Sequence, residues 1–539
     1  MSKSIATILT VISFNLLETA SGNAFLRIKK NGHHGQVNSD NLERTLLEEI
    51  EGQVGNANIR GRLARLEATL HPMFLSLPKN GHGNLDHSTV RYALHRLFVQ
   101  RHGWYIKGLD NAGQSWNETS HANILKDQAA DFVQSVFEHR LGDKGLNLHE
   151  LAVLGATLEH LIHDESVERL QKAYASTRYE TTMALSMAQA TEITHAYMQL
   201  FILGEEIGAT ISDTEMNEIY PGWADTKQFA EEILRNTAVD ESSLDFNIVT
   251  KAVEEIAEQY GRFQDGECRV MKTDLIKLGD RNIGRVPLSD FYAPALAGDN
   301  FQFMESVDYL RSLGALDETI DPQLPSVIVP NYIGSQSNCV VSSSYYSVCC
   351  IDECEGLTSQ LEKEFQSPEA DPKEVLAVVA GLSSSTVSGP RELSAPLIRR
   401  LEDIAEGHHG TVPLHGRLFS QWMHHAFPRE CQFPHVSGTT NPSAEAEWIE
   451  QEDMQKITDD SVGVTMEAVE LTHWTHEEEL LVPRSSPRSG SSLWASLRNV
   501  VFLSAVVAGG VQVAASSGTA AKAATTLYAG YDGKAGKLV

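Results

Sequence analysis

Positive charge is scarce in this 539-residue chain: Lys and Arg total 43 against 72 Asp and Glu, a net charge of −29. With no basic stripe to neutralise phosphates, nucleic-acid binding is excluded. Strand-like alternation of apolar and polar residues is also rare, which argues against a large sheet. The short patterns that announce common chemistries are missing as well. There is no GxSxG elbow, no Walker loop, no dinucleotide fingerprint and no kinase set. Neither CxxC nor HExxH occurs, and there is no haem-attachment motif. "NGHGN" and "EGHHG" are Gly-containing turns too short to cradle a phosphate. The sequence therefore nominates no catalytic residue, no cofactor and no metal ligand set.

What is present is helical spacing. From residue 40 to 316 the chain reads as helices joined by short polar turns. Examples are "RLARLEATLHPMFLSL", "STVRYALHRLFVQ", "LHELAVLGATLEHLIHD" and "DFNIVTKAVEEIAEQYGRF". The Pro-containing stretch "DETIDPQLPSVIVPNYIG" (317–334) interrupts this pattern and reads as a linker. A smaller Cys/His-containing helical domain is expected over 335–440. Residues 441–492 turn acidic and then Pro/Ser/Arg-rich, as in "HEEELLVPRSSPRSGSS", the composition of a flexible stalk.

Three loops in the larger unit resemble calcium-binding EF-hand loops without their ligands. Such a loop places oxygens at positions 1, 3, 5, 7, 9 and 12, a Gly at 6 and an apolar residue at 8. In "KLGDRNIGRVPLSDF" (277–291), Gly284 at 6 puts Val286 at 8 and Asp290 at 12. Gly279, Arg281 and Ile283 then fall where a dication needs oxygen. Sliding the register to begin at Asp280 loses the turn Gly and puts Arg285 in its place. In "SLPKNGHGNLDHSTVRYALHR", Gly83 at 6 leaves only Asn80 and Asp86 as useful ligands, and "RLGDKGLNLHELAVL" (140–154) is a weaker match. The expected fold is all-α: an array of degenerate EF-hand-like helix–loop–helix units plus the smaller Cys-rich helical domain. A working calcium-binding protein is the less favoured alternative.

Cys339, Cys349, Cys350 and Cys354 lie within sixteen residues, Cys431 follows, and Cys268 sits alone in the helical part. Behind a signal peptide these read first as disulfides, with fifteen pairings open. Cys350 and Cys354 are spaced to share a helix face. At least one link within 339–354, and one from that helix to Cys431, is expected. The rival is a metal or catalytic site using Cys431 with His408, His409, His415, His424, His425 and His435. His160 and His163 lack the Glu base of a zinc protease. If the rival held, His415, His424, His425 and Cys431 would converge on one pocket.

The ends carry the address. "MSKSIATILTVISFNLLETASGNAFL" has Lys3, an apolar run and small residues at Ala20, Gly22 and Ala24, the pattern of a signal peptide covering 1–24. Phe25 after the cleavage region leaves targeting to a plastid of secondary origin as an alternative. A C-terminal membrane helix is expected over 493–516, with Arg498 snorkelling beside Trp494, followed by a short tail, 517–539. The sequon at Asn117 would be open to glycosylation in the lumen.

Long phrases spread over most of the chain, among them "LPKNGHGNLDHSTVRYALHRLFVQRHGWYIKGL", "VPNYIGSQSNCVVSSSYYSVCCIDECEGL" and "VPLHGRLFSQWMHHAFPRECQFPHVSGTT", resemble a family of predicted proteins from dinoflagellate-type algae. The resemblance implies a signal peptide, a lumenal body and a C-terminal anchor, and it brings no activity. The expected function is a non-enzymatic, membrane-anchored interaction or scaffold protein with a protein partner. An enzyme with its site in 335–440 is the alternative.

Overall fold

Among the described residues, a leucine followed by a polar residue whose side chain caps the next helix occurs at Leu85–Asp86, Leu146–Asn147, Leu185–Ser186 and Leu244–Asp245. The computed structural model describes residues 56–107, 109, 144–204, 211–238, 243–279, 283–298, 303–319, 324–340, 343, 345–441, 446–460, 474–479 and 481–482. The expected signal peptide, the Asn117 sequon, the apolar run at 493–516 and the tail lie outside them. Among the described residues no helix is long and apolar enough to cross a membrane.

The first helices are α1 (Asn56–Ser76), α2 (His87–His102), α3 (Leu148–Thr177), α4 (Met187–Leu203), α5 (Asp213–Ile219), α6 (Trp223–Thr237) and α7 (Phe246–Lys277), with β1 (Trp104–Ile106) after α2. Then come β2 (Arg285–Pro287), α8 (Leu288–Leu296), α9 (Val307–Ser312), β3 (Leu316–Asp317), β4 (Ser326–Ile328), α10 (Val329–Ile333) and β5 (Tyr346–Val348). The remainder is α11 (Glu353–Phe365), β6 (Glu369–Ala370), α12 (Pro372–Gly381), α13 (Ala395–Gly407), β7 (Val412–Pro413), α14 (Arg417–Ala426) and α15 (Gln451–Asp460). The fold is thus predominantly helical, as the apolar spacing predicts. Among the described residues it departs from a purely helical array through three small antiparallel sheets.

The four Leu–polar pairs explain how the larger helices meet. Leu85 and Leu146 exchange both backbone hydrogen bonds, at 2.9 and 3.0 Å, and Leu185 and Leu244 do the same at 2.8 and 3.0 Å. The next residue in each case accepts from the backbone three residues on: Asp86 from Thr89, Asn147 from Glu150, Ser186 from Gln189 and Asp245 from Ile248. Each such cap satisfies an otherwise orphaned N–H and contributes about 1 kcal/mol. The apolar bridge residue and the polar cap residue therefore tie two helix starts together in pairs. Close approach is essential at Gly145. Its φ is +70°, and a Cβ there would lie 2.2 Å from the Leu85 carbonyl oxygen.

Behind these bridges lies a large core of α1–α7, with Leu66, Leu94, Phe98, Leu151, Phe201, Trp223 and Tyr260 fully or almost fully buried. A second core joins α11–α14 around Leu361, Leu401 and Trp422. A third gathers β2–β4, α8–α10 and α15 around Phe291, Tyr292 and Val327. The stretch 317–334, read from the sequence as a linker, supplies β4 and all of α10. Val327 of β4 sits between Val286 of β2 and Leu316 of β3. Its prolines flank the strand and start the helix, so they punctuate built structure. β1 pairs with the distant β5, Trp104 opposite Val348 and Ile106 opposite Tyr346.

Candidate functional site

The six cysteines pair completely: Cys268–Cys350, Cys339–Cys349 and Cys354–Cys431. One link falls within 339–354 and one reaches Cys431, as expected. The shared helix face of Cys350 and Cys354 is corrected, because α11 begins only at Glu353, after the Asp352 cap. Cys350 therefore lies on the extended approach to the helix and turns back to Cys268 on α7.

The histidines do not converge. His424 is fully buried; its Nε2 faces an Arg285 guanidinium nitrogen at 3.2 Å, so its Nδ1–H donates to the Cys431 carbonyl at 2.6 Å. Burial, with Arg285 and His425 beside it, holds its pKa well below the usual value. His415 meets the Tyr92 hydroxyl at 3.2 Å through Nδ1, and Ser76 Oγ and Glu362 Oε1 at 3.4 and 3.3 Å through Nε2. His425 stacks on Trp474, His435 meets the Gly314 carbonyl, and His408 meets the Ile404 carbonyl. His160 and His163 stack on each other along α3. Among the described residues no group of three His, Cys, Asp or Glu is placed to hold a metal ion.

A cleft of about 390 Å³ opens elsewhere, where α2 and β1 face α11, α14 and the segment after Cys431. Its wall includes Tyr92, His95, Tyr105, Asp352, Glu355 and His435. Behind α2, the almost fully buried Arg96 holds two carboxylates. Its Nε donates to Glu355 at 2.6 Å, and its terminal nitrogens grip Glu362, which is 2% exposed. Such an ion pair needs near-complete hydrogen bonding to offset desolvation, and the forked guanidinium provides it.

The remaining acid is Asp352. One of its carboxyl oxygens caps α11 by accepting from Cys354 N at 2.9 Å, and its backbone carbonyl accepts from Glu355 N at 3.2 Å. Burial pushes its pKa up to about 7, with Glu355 adding to the rise and Arg96 opposing it. Glu355 is also raised, by burial against the pull of Arg96. His95 goes the other way, to about 4, through burial and then Arg96 and Arg91, so it is neutral at neutral pH. The arrangement presents hydrogen-bonding groups and one carboxyl, Asp352, that Arg96 influences without a direct ion pair.

Sequence reasoning missed this cleft. Its wall draws on residues from Tyr92 to Thr440, and the only local signal is "DECEGL", which reads as a capped helix start. Comparison with known proteins adds no relative: no family model, no curated protein and no solved structure matches the chain.

Proposed function

We propose that this chain is a non-catalytic binding and scaffold protein of the secretory pathway or cell surface, anchored by its C-terminal apolar run and holding its body on the lumenal or outer side. The observation that carries this reading is the use made of the Cys and His residues. Cys431 is in a disulfide, and His415 and His424 are kept neutral chiefly by their burial. A nucleophile or general base needs a free thiolate or an accessible ring near its working pKa. The three disulfides suit an oxidising compartment.

The test uses the full chain in intact microsomes. Added protease is expected to spare the body and trim the tail, and a maleimide probe is expected to label no cysteine until the protein is unfolded and reduced. Stoichiometric labelling of Cys431 in the native protein would overturn the reading, as would digestion of the whole body.

The same reading takes the body to descend from paired EF-hand units that no longer take calcium. The Leu–Leu bridges, each followed by a helix cap, support that descent. The ligand positions support the loss. Asn80 Oδ1 accepts from the backbone of His82 and Asn84, and Asp86 Oδ1 is taken by Ser88 and Thr89. In the 277–291 loop the Asp290 carboxylate closes onto Gly279, where even a Cβ would lie 2.6 Å from it. Thermal midpoints in millimolar calcium and in chelator should therefore agree within about a degree. Specific binding at a hundredfold excess over Kd would add about 2.7 kcal/mol and raise the midpoint by several degrees. A rise of that size, lost in Asp290→Ala, would restore the calcium reading.

A further inference from the structure

We propose that the face of α14 carrying Arg417, Gln421 and His425 is a recognition site for an extended acidic peptide with one aromatic anchor, and that the chain's own residues 474–479 with Leu481 are its displaceable occupant. The inference rests on the non-catalytic binding reading and names what the body recognises.

Composition reads the segment "WTHEEELL" as part of a stalk, yet it is laid along α14. Its backbone joins the chain as an added strand does. Arg417 N donates to the Glu479 carbonyl at 3.0 Å, and Leu481 N donates to the His415 carbonyl at 3.1 Å. Such main-chain bonds give an extended peptide its affinity, and side-chain contacts select its sequence.

Arg417 makes the first selection. It is 1% exposed; its Nε donates to the Glu477 carbonyl at 2.7 Å and its Nη2 to Thr475 Oγ1 at 2.7 Å. Gln421, also fully buried, accepts from Thr475 Oγ1 at 2.9 Å. Emptying the groove would strip a buried guanidinium of these partners, a costly state. The buried groups are thus arranged for an occupant.

Carboxylates make the second selection. Gly416 precedes α14 and has no side chain to cap it, so Glu478 Oε1 does so by accepting from Leu418 N at 3.1 Å. Gly416 also leaves the room, since a Cβ there would lie 3.0 Å from Glu478 Oε2. Glu479 Oε2 accepts from Ser437 N and Oγ at 3.0 and 2.9 Å. Trp474 is the anchor: it stacks on His425, with the Arg400 guanidinium 4.9 Å from its ring centre.

The occupant is laid on the surface. Trp474, Thr475, Glu478 and Glu479 are half-buried and Glu477 is exposed, whereas Arg417, Gln421 and His415 beneath them are buried. A segment seated this way competes through its tether, which gives it a high effective concentration. A partner peptide of the same chemistry has to displace it.

The test uses the full-length oxidised protein and a fluorescent peptide, THWTHEEELLVP, followed by anisotropy. The variant Trp474→Ala/Glu478→Ala/Glu479→Ala frees the groove. Saturable one-to-one binding of the peptide to it is expected, at least about tenfold tighter than to the parent, whose groove is filled. A peptide carrying Glu478→Gln and Glu479→Gln should bind the variant at least about tenfold more weakly, because it lacks the charged acceptors. Thermal midpoints check folding, and bound peptide should raise the variant's midpoint. If the triple variant does not fold, Trp474→Ala alone replaces it, with the same order of affinities expected. No saturable binding to a folded variant at millimolar peptide, equal affinity for parent and variant, or equal binding of the Gln peptide would each overturn the site. None of these readouts involves cysteine labelling or topology, so the site can fall while the scaffold reading stands.

Discussion

Replacing Arg96 by Met is expected to destabilise the protein by about 3–5 kcal/mol, the usual result of removing one partner from a buried ion pair. Arg96 is 1% exposed, and both Glu362 oxygens lean on its guanidinium. Without it, the Glu362 carboxyl is left buried with no cation beside it, and His415 close by is neutral and cannot replace the lost charge. Adding Glu362→Gln to Arg96→Met should recover part of the loss, because the buried charge goes with it. Urea unfolding of the two variants and the parent checks this. A loss below about 1 kcal/mol would mean that the pair behaves as an exposed one.

The second large effect is on pH dependence. His95 and His415 are pushed down to about 4, and His424 well below its usual value, each chiefly by burial. An unfolded histidine titrates near 6.5. Between those values the unfolded chain binds the extra proton, so each group removes stability as the pH falls through that window. Each shift of this size corresponds to about 3 kcal/mol. Asp352 acts in the opposite sense. Its folded value of about 7 lies above the unfolded one, so its contribution is full below about pH 4 and is lost as pH rises through 7. The raised carboxyls of Glu254, Glu305 and Glu355 act with it. Relative to the parent, Asp352→Asn should therefore lose more stability on going from pH 7.5 to 4.5, by a few kcal/mol. His415→Gln should lose less. Urea midpoints at four pH values decide, and parallel profiles for all three proteins would refute the protonation assignments.

How much of this was legible beforehand depends on sequence distance. Helices such as α3 and α7 announce themselves because cap, apolar spacing and length all fall within one window. The loop at 78–89 was legible for the same reason. Its counterpart at Leu185 and Leu244 was not, because neither loop carries the Gly at position 6 that draws the eye. What they share is only a leucine before a capping residue. Cys354–Cys431 and Cys339–Cys349 lie within the region that reads as one unit. Cys268–Cys350 crosses from α7 into it, and helical spacing cannot foresee such a crossing. The histidines misled for a related reason. Of the six near one cysteine in sequence, His415 and His424 are buried neutral hydrogen-bonding groups with different neighbours in space. The cleft at Asp352 had the reverse problem: residues of unremarkable local pattern meet only after the chain has folded.

The pairing of β1 with β5 sets the order of events during synthesis. Ile106 leaves the ribosome about 240 residues before its partner Tyr346. At typical elongation rates of about 5–20 residues per second, that delay is roughly 12–48 seconds. Helix α2 can pair with α3, and α4 with α7, through their leucine bridges in the meantime, since each bridge spans about 60 residues of chain. The strand Trp104–Ile106 cannot. Until β5 arrives, an aromatic edge that is buried in the finished protein has an unpaired backbone, the kind of surface that nascent chains hand to a chaperone.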